Sequence, residues 1–414
     1  MKLKTIKEIK NLKGKRVLVR VDFNCPIKNG RVIDDTRIQA ALETIKYLIQ
    51  QKAIVILISH LGDPFKNPKS EIRNPKQIQN STPTPTGRGS DRSVGEFKNK
   101  YSLKPVAKYI NRLHVPGSMF HVKFIDDCVG EKVRKETATM KPGEIILLEN
   151  LRFYDGEEKN DLKFAKQLAG LADLYINDAF SVCHRAHASV SAITHYLPAY
   201  AGFCLIKEIE NLSQVLTKPL HPFIVLMGGV KISTKIKTIE NLAKKGDQIL
   251  IGGALANTFL KIKGVNIGAS FYEPTMIKMA KKLAKNKKII LPLDVETEGR
   301  DNDFKILDIG PKTVELFQKY LKTAKTIIWN GPMGLFEEKP FDQGTKEMIK
   351  IILNNRKAKI IIGGGETIAS LQEAISNFQF LISKPNIFIS TGGGAMLEFL
   401  EGKILPGIKP LIKF

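Results

Sequence analysis

The sequence predicts an α/β protein of two domains, each a doubly wound parallel sheet with helices on both faces. Three observations carry this expectation. Apolar, β-rich runs recur along the 414 residues and most end in glycine or a small polar residue. The runs are continuously apolar and do not alternate, which marks strands covered on both faces. Segments with helical apolar spacing separate them, and a chain of this length exceeds one ordinary core.

In the first half the strands are expected at 17–23 (VLVRVDF), 54–60 (IVILISH), 144–150 (EIILLEN) and 174–180 (LYINDAF). In the second half they are expected at 223–229, 248–253, 288–295, 326–331, 359–365 and 386–394. Helical periodicity predicts helices near 37–50, 161–172, 233–244, 274–285 and 344–353. Residues 63–100 break the rhythm. They are rich in Pro, Ser, Thr and Asn, hold eight basic residues against four acids, and read as a long insertion loop. Pro198 then leads into a helix-like stretch at 201–215, read as the linker between a domain at 1–200 and another at 216–403. The tail at 404–414 (ILPGIKPLIKF) is apolar enough to pack against something.

Composition narrows the classes. No apolar run approaches the ~20 residues that span a bilayer, so no membrane partner is expected. The N-terminus is basic but lacks the apolar core of a signal peptide. Cys25, Cys128, Cys183 and Cys204 are far apart without a CxxC pair, which suggests neither disulfides nor zinc and fits a reducing cytoplasm. The formal charge of +24 suits an anionic ligand. The lysines are nevertheless scattered among apolar residues with no basic cluster, so solvated helix faces explain most of them and nucleic acid is not the expected partner.

The site should lie where the strands end, because ligands of open α/β sheets bind outside the carboxyl ends. At 359–371 (KIIIGGGETIASL) a buried strand runs through three glycines into a helix. Free N–H groups at such a helix start suit a phosphate, Gly365 is free to take φ > 0, and Glu366 offers a hard oxygen for Mg²⁺. The second half offers backbone at Gly228–Gly229, Gly252–Gly253, Gly363–Gly365 and Gly392–Gly394. The first half offers side chains at strand ends: Arg20, Asp22, Asn24, Arg37, His60, Arg152, His184, Arg185 and His187. Arginine forks grip phosphate and carboxylate, although Arg20 and Arg37 also suit structural ion pairs. Two such surfaces suggest a small anion served by a nucleotide. No GxxxxGK(S/T) loop, GxGxxG fingerprint, HRD or DFG signature, or GxSxG elbow occurs.

In order along the chain stand RVDFNCP (20–26), DDTRI (34–38), SHLG (59–62), LLENLRF (147–153), NDAF (177–180) and HRAHAS (184–189). They are followed by GGVKISTKI (228–236), GGALANTFLK (252–261), WNGPMGLFE (329–337), GGGET (363–367) and STGGGAMLEFLEGK (390–403). By these motifs the sequence resembles the phosphoglycerate kinase family nearly end to end. The resemblance implies two Rossmann-like domains joined by a hinge helix, with the C-terminal tail returning to the N-terminal domain. It implies reversible transfer of phosphate between 1,3-bisphosphoglycerate and ADP, giving 3-phosphoglycerate and MgATP in glycolysis, and a protein that is usually monomeric. By similarity Asp22, Asn24, Arg37, His60, Arg152 and Arg185 hold the phosphoglycerate. Lys231, Lys235, Gly253, Asn330, Pro332, Glu337, Gly364, Gly365, Glu366 and Thr367 surround the nucleotide, with Gly392, Gly393 and Gly394 as a phosphate loop. Arg37 and Lys235 are the expected catalytic pair, neutralising the transferring group, and Glu366 the expected metal ligand.

Two positions depart from the family. After SHLG the family has Arg-Pro, whereas Asp63-Pro64 follows here, and Arg73, Arg88 or Arg92 of the insertion is the expected replacement charge. Glu366 stands where the family mostly has Asp, which lengthens the reach to a metal by one methylene.

Overall fold

Each sheet is built from short runs of Val, Ile and Leu whose alternate side chains feed opposite cores. The computed structural model describes residues 1–64, 100–113, 120–375, 378, 381 and 384–413. Two compact units result: Met1–Ile206 with Pro406–Phe414, and Lys207–Leu405. Most of the expected insertion, with Arg73, Arg88 and Arg92, lies outside the described residues.

The first unit holds β1 (Arg16–Arg20), a small antiparallel hairpin of β2 (Ile27–Lys28) and β3 (Arg31–Val32), β4 (Ile54–Ile58), β5 (Val122–Ile125), β6 (Ile145–Leu148), β7 (Leu174–Asn177) and β8 (Ala199–Ala201). Its six-stranded sheet runs β5-β6-β4-β1-β7-β8 with every neighbouring pair parallel. Val17, Val19, Val55 and Leu57 pack with Ile38, Ala41, Ile45 and Leu48 of the helix Thr36–Gln50. Leu18, Ile56 and Ile58 face the other way, onto Phe164, Ala165 and Leu168 of the helix Leu162–Ala169. The expected double coverage is therefore present.

The second unit holds β9 (Phe223–Met227), β10 (Gln248–Ile251), β11 (Ile289–Ile290), β12 (Val295–Glu298), β13 (Lys305–Ile309), β14 (Thr326–Asn330), β15 (Lys359–Gly363) and β16 (Ile387–Ser390). Its parallel sheet runs β11-β10-β9-β14-β15-β16. Strand order reverses between β9 and β14, the switch point at which doubly wound sheets bind ligands. Trp329, fully buried, anchors the core there with Ile224, Leu226, Ile327, Ile360 and Phe317.

Some local expectations shift. The run 288–295 yields only the two-residue β11, because Pro292 has no N–H for a ladder. The chain then turns into an antiparallel pair, β12 with β13, that lies outside the main sheet. Residues 199–201 are an edge strand, and the helix that follows is Phe203–Thr217. Its first turn is fixed by Asp178, whose carboxylate accepts the N–H of Cys204 at 2.8 Å and of Leu205 at 3.3 Å. Burial pushes that carboxyl up to about 7. Residues 406–413 are bonded into the first unit: Gly407 N–H donates to Cys183 O, Lys4 N–H to Leu411 O and Lys413 N–H to Lys2 O. Among the described residues no helix is long and apolar enough to cross a membrane.

Candidate active site

At the C-terminal edge of the first sheet, short polar turns leave β1, β4, β6 and β7. Each is held by its neighbours. Asn150, after β6, accepts the N–H of Leu61 and of Arg152 and donates to the carbonyls of Leu61 and Tyr101, so one amide fixes three segments. Asn24, after β1, accepts the N–H of Gly62 at 2.8 Å. Asp22 accepts from Arg37, Ser181 and the Asn24 N–H. These bonds bring Asp22, Asn24, Arg37, His60 and Arg152 to one strand edge, with Arg185 exposed on the turn after β7.

The charges are arranged by depth. Arg20 is fully buried, 4.0 Å from the buried carboxylate of Glu157. Arg152 is also buried, with one Nη on the Gly62 carbonyl and Nε 3.5 Å from Glu158. Among the described residues its Nε makes no hydrogen bond. Burial lowers the Arg152 guanidinium from its ordinary value, and the neighbouring charges of Glu158 and Asp63 oppose that. Asp63 therefore lies within electrostatic reach of Arg152. His60 is held far below the usual imidazole value, first by burial and then by Arg20, Arg152, Arg37 and Arg185.

In the second unit, glycine loops from β9, β10, β14 and β15 meet around one lysine. Lys235 Nζ, buried, donates to Gly228 O at 2.6 Å and Asn330 O at 3.3 Å. A Cβ on Gly331 would sit 2.6 Å from that Nζ and 2.3 Å from the Gly228 carbonyl, so glycine is required for the close approach. A Cβ on Gly229 would come 3.0 Å from Lys235 Nζ and 3.7 Å from Glu366 Oε2, so ammonium and carboxylate share the space above that residue. Burial draws the ammonium down to about 8, and Glu366 opposes the shift.

The stretch 359–371 forms strand β15, a turn and the helix Gly365–Ala374. The left-handed residue is Gly364, at φ 100°, and not Gly365, which opens the helix. Glu366 is exposed in the first turn, while Thr367 is buried and accepts the Gly331 N–H at 2.7 Å. Asn330 in turn donates to the Gly363 carbonyl at 2.9 Å, so β14 and β15 loops are tied in both directions. An open cleft of about 530 Å³ lies here, lined by Gly229, Gly253, Pro332, Phe336, Glu337 and Glu366 among others. Lys231 is exposed just before the turn that leads to Lys235. Gly392, Gly393 and Gly394 open the helix Gly394–Leu400, with Gly393 at φ 50°.

Two acids were not anticipated. Glu157 looks like a surface acid in DGEEKND and nothing in the sequence marks its burial. Glu208 accepts Ser390 Oγ at 2.8 Å and Thr391 N–H at 2.7 Å, which fixes the start of the Gly392–Gly394 loop. Its signal was available: it falls on the apolar stripe of Leu205, Ile209 and Leu212.

Two parallel α/β units, one with an arginine-rich strand edge and the other with glycine loops around a buried lysine, define a two-domain phosphotransferase. A family model described as phosphoglycerate kinase matches residues 6–403. The chain is 44% identical to the phosphoglycerate kinase of Pseudothermotoga lettingae, covering 99% of each, and 43% identical to that of Pelotomaculum thermopropionicum over the whole of both. The solved phosphoglycerate kinases of Coxiella burnetii (TM-score 0.77, 36% identity, 99% of each chain) and Pyrococcus horikoshii (TM-score 0.80, 30% identity, 99% of this chain and 98% of that one) share its fold. The chain belongs to the phosphoglycerate kinase family, glycolytic enzymes that transfer phosphate to and from a carboxyl group.

Proposed function

We propose that this chain transfers phosphate reversibly between 1,3-bisphosphoglycerate and ADP, using Mg²⁺, with Lys235 and Arg37 as its catalytic cations. The buried ammonium of Lys235 beside Glu366, at the switch point of the second sheet, carries this reading. In the ATP-consuming direction a carboxylate oxygen of 3-phosphoglycerate attacks the γ-phosphorus and the bond to the ADP oxygen breaks. The nucleophile is already deprotonated, so no general base is needed. Position and charge stabilisation carry the rate.

Asp22, Asn24, Arg37, His60, Arg152 and Arg185 hold the phosphoglycerate, and the Arg152 Nε, ion-paired to Glu158 but without a hydrogen bond among the described residues, suits an anion oxygen. Lys231, Lys235, Gly253, Pro332, Glu337, Gly364, Gly365 and Glu366 surround the nucleotide, and Gly392, Gly393 and Gly394 receive phosphate charge. Asn330 and Thr367 serve the nucleotide by fixing the loops that meet it, since their polar atoms already bind Gly363 and Gly331.

Mg²⁺ fits Glu366. Among the described residues no group of three or more His, Cys, Asp or Glu could cage a metal. Mg²⁺ usually keeps its waters and takes one or two carboxylates plus substrate phosphates, so a single exposed carboxylate beside the lysine suffices. When bound with the nucleotide it neutralises phosphate charge. A coupled assay with ATP and 3-phosphoglycerate should show turnover that a chelator abolishes and Mg²⁺ restores. No turnover with excess Mg²⁺ would defeat the proposal. Four free cysteines support a cytoplasmic setting, and the monomeric habit of the family supports a monomer.

Asp63 opposes substrate charge. Its carboxylate is close enough to act on Arg152, and removing a like charge near a trianion should be worth ~1 kcal/mol. Asp63→Asn is expected to lower KM for 3-phosphoglycerate a few-fold with kcat nearly unchanged. An unchanged or higher KM would show that Asp63 is screened from the substrate.

A further inference from the structure

Arg20 was a candidate ligand-binding arginine, yet each of its three nitrogens has a partner inside the protein. Nε–H donates to Ser189 Oγ at 2.9 Å, Nη1 to the Val21 carbonyl at 2.6 Å, and Nη2 lies 3.1 Å from His60 Nδ1. Ser189 Oγ passes its own hydrogen to Glu157 Oε1 at 2.6 Å, and its N–H donates to the other Glu157 oxygen at 2.9 Å. The guanidinium is thus locked in orientation by β1, by the turn after β7 and by a buried carboxylate. Fully buried, it presents no face to solvent.

This geometry determines the state of His60. A guanidinium only donates and stays charged in proteins, so the ring nitrogen facing it must accept. We infer that Arg20 is a positioning residue that holds His60 as the neutral tautomer with its proton on Nε2, making the ring a fixed uncharged donor for the phosphoglycerate. Protonating Nδ1 would set two donors and two positive charges face to face at 3.1 Å. The four charged groups that act most on the ring have the same sign: Arg20 from β1, Arg37 from the helix Thr36–Gln50, Arg152 after β6 and Arg185 after β7. Glu157, the carboxylate that compensates Arg20, is separated from the ring by Arg20 and Ser189, and Asp22 at the same strand edge is engaged by Arg37 and Ser181. Among the described residues Nε2 has no hydrogen-bond partner, so its proton is available. A lone histidine of ordinary pKa would gain charge as pH falls from about 8 to 5 and grip the substrate more tightly in acid. His60 gives up that gain and binds equally across the range.

The ligand half of this inference rests on the proposed substrate role of His60; the tautomer does not. The test is a long-range ¹H–¹⁵N spectrum of the ¹⁵N-histidine-labelled full chain without substrate, with His60→Gln assigning the signals. The expected pattern is a pyridine-like Nδ1 and a pyrrole-like Nε2, unchanged from about pH 5 to 8. A protonated Nδ1, or a titration inside that window, would overturn it. Arg20→Lys keeps a donor and should keep the pattern. Arg20→Met, made together with Glu157→Gln if the single variant does not fold, removes the donor facing Nδ1 and should let a pyrrole-like Nδ1 population appear, and an unchanged pattern there would remove Arg20 from the role. Signals that hold the expected pattern but do not move with 3-phosphoglycerate would count against the substrate role of His60 alone.

Discussion

Replacing Lys235 with alanine should lower kcat about a hundredfold or more, the ~3 kcal/mol typical of one well-placed donor to developing charge. The ammonium is buried and bonded to two backbone carbonyls, so its charge is aimed and poorly solvated before any nucleotide arrives. Arg37→Ala should cost a similar factor from the other unit, since its guanidinium is held on Asp22 at the start of its helix. Turnover within a few-fold of wild type in both variants would end the catalytic assignment. A pH profile adds an independent check. With its value drawn down to about 8, Lys235 in the free protein is charged below that pH and neutral above it. Nucleotide kcat/KM should therefore fall as pH rises through about 8. Bound phosphates stabilise the ammonium, so kcat should decline only at higher pH.

The second large effect is on stability. Glu157→Ala leaves Arg20 buried with no compensating charge and Ser189 without its acceptor. Breaking a buried pair from one side costs about 3–5 kcal/mol, which in a unit of this size lowers Tm by roughly 6–20 °C. The exposed Glu131–Lys135 pair is the control: Glu131→Ala should change stability by less than about 0.5 kcal/mol. Thermal unfolding followed in both variants distinguishes them. Equal Tm values would mean that Ser189 and water compensate the arginine.

The sheets were legible because their strands are buried on both faces, and burial on both faces leaves an uninterrupted apolar run. Val17 to Val19 and Ile360 to Ile362 are such runs. The two edge strands of the first sheet lack that signature: Val122–Ile125 carries Lys123 and Ala199–Ala201 is three residues long, so neither stood out. The antiparallel β12–β13 pair was missed for the same reason, its first strand being mostly exposed. Candidate site positions were chosen from strand ends and from family motifs. Their partners were not. That Arg20 faces inward to Glu157, or that Thr367 is spent on Gly331, depends on residues far apart in the chain, and pairings at that range leave no local pattern.

The first unit is closed by residues made only after the whole of the second unit. Pro406 onward bonds to Cys183, Lys4 and Lys2, and all of Lys207–Leu405 lies between. During synthesis at 5–20 residues per second, those roughly 200 residues keep the first unit waiting on the order of 10–40 s for its final contacts. The second unit is continuous in the chain and meets no such delay. The half of the protein translated first is therefore the half completed last, and newly made chains spend that interval with the arginine-bearing sheet lacking its C-terminal strap.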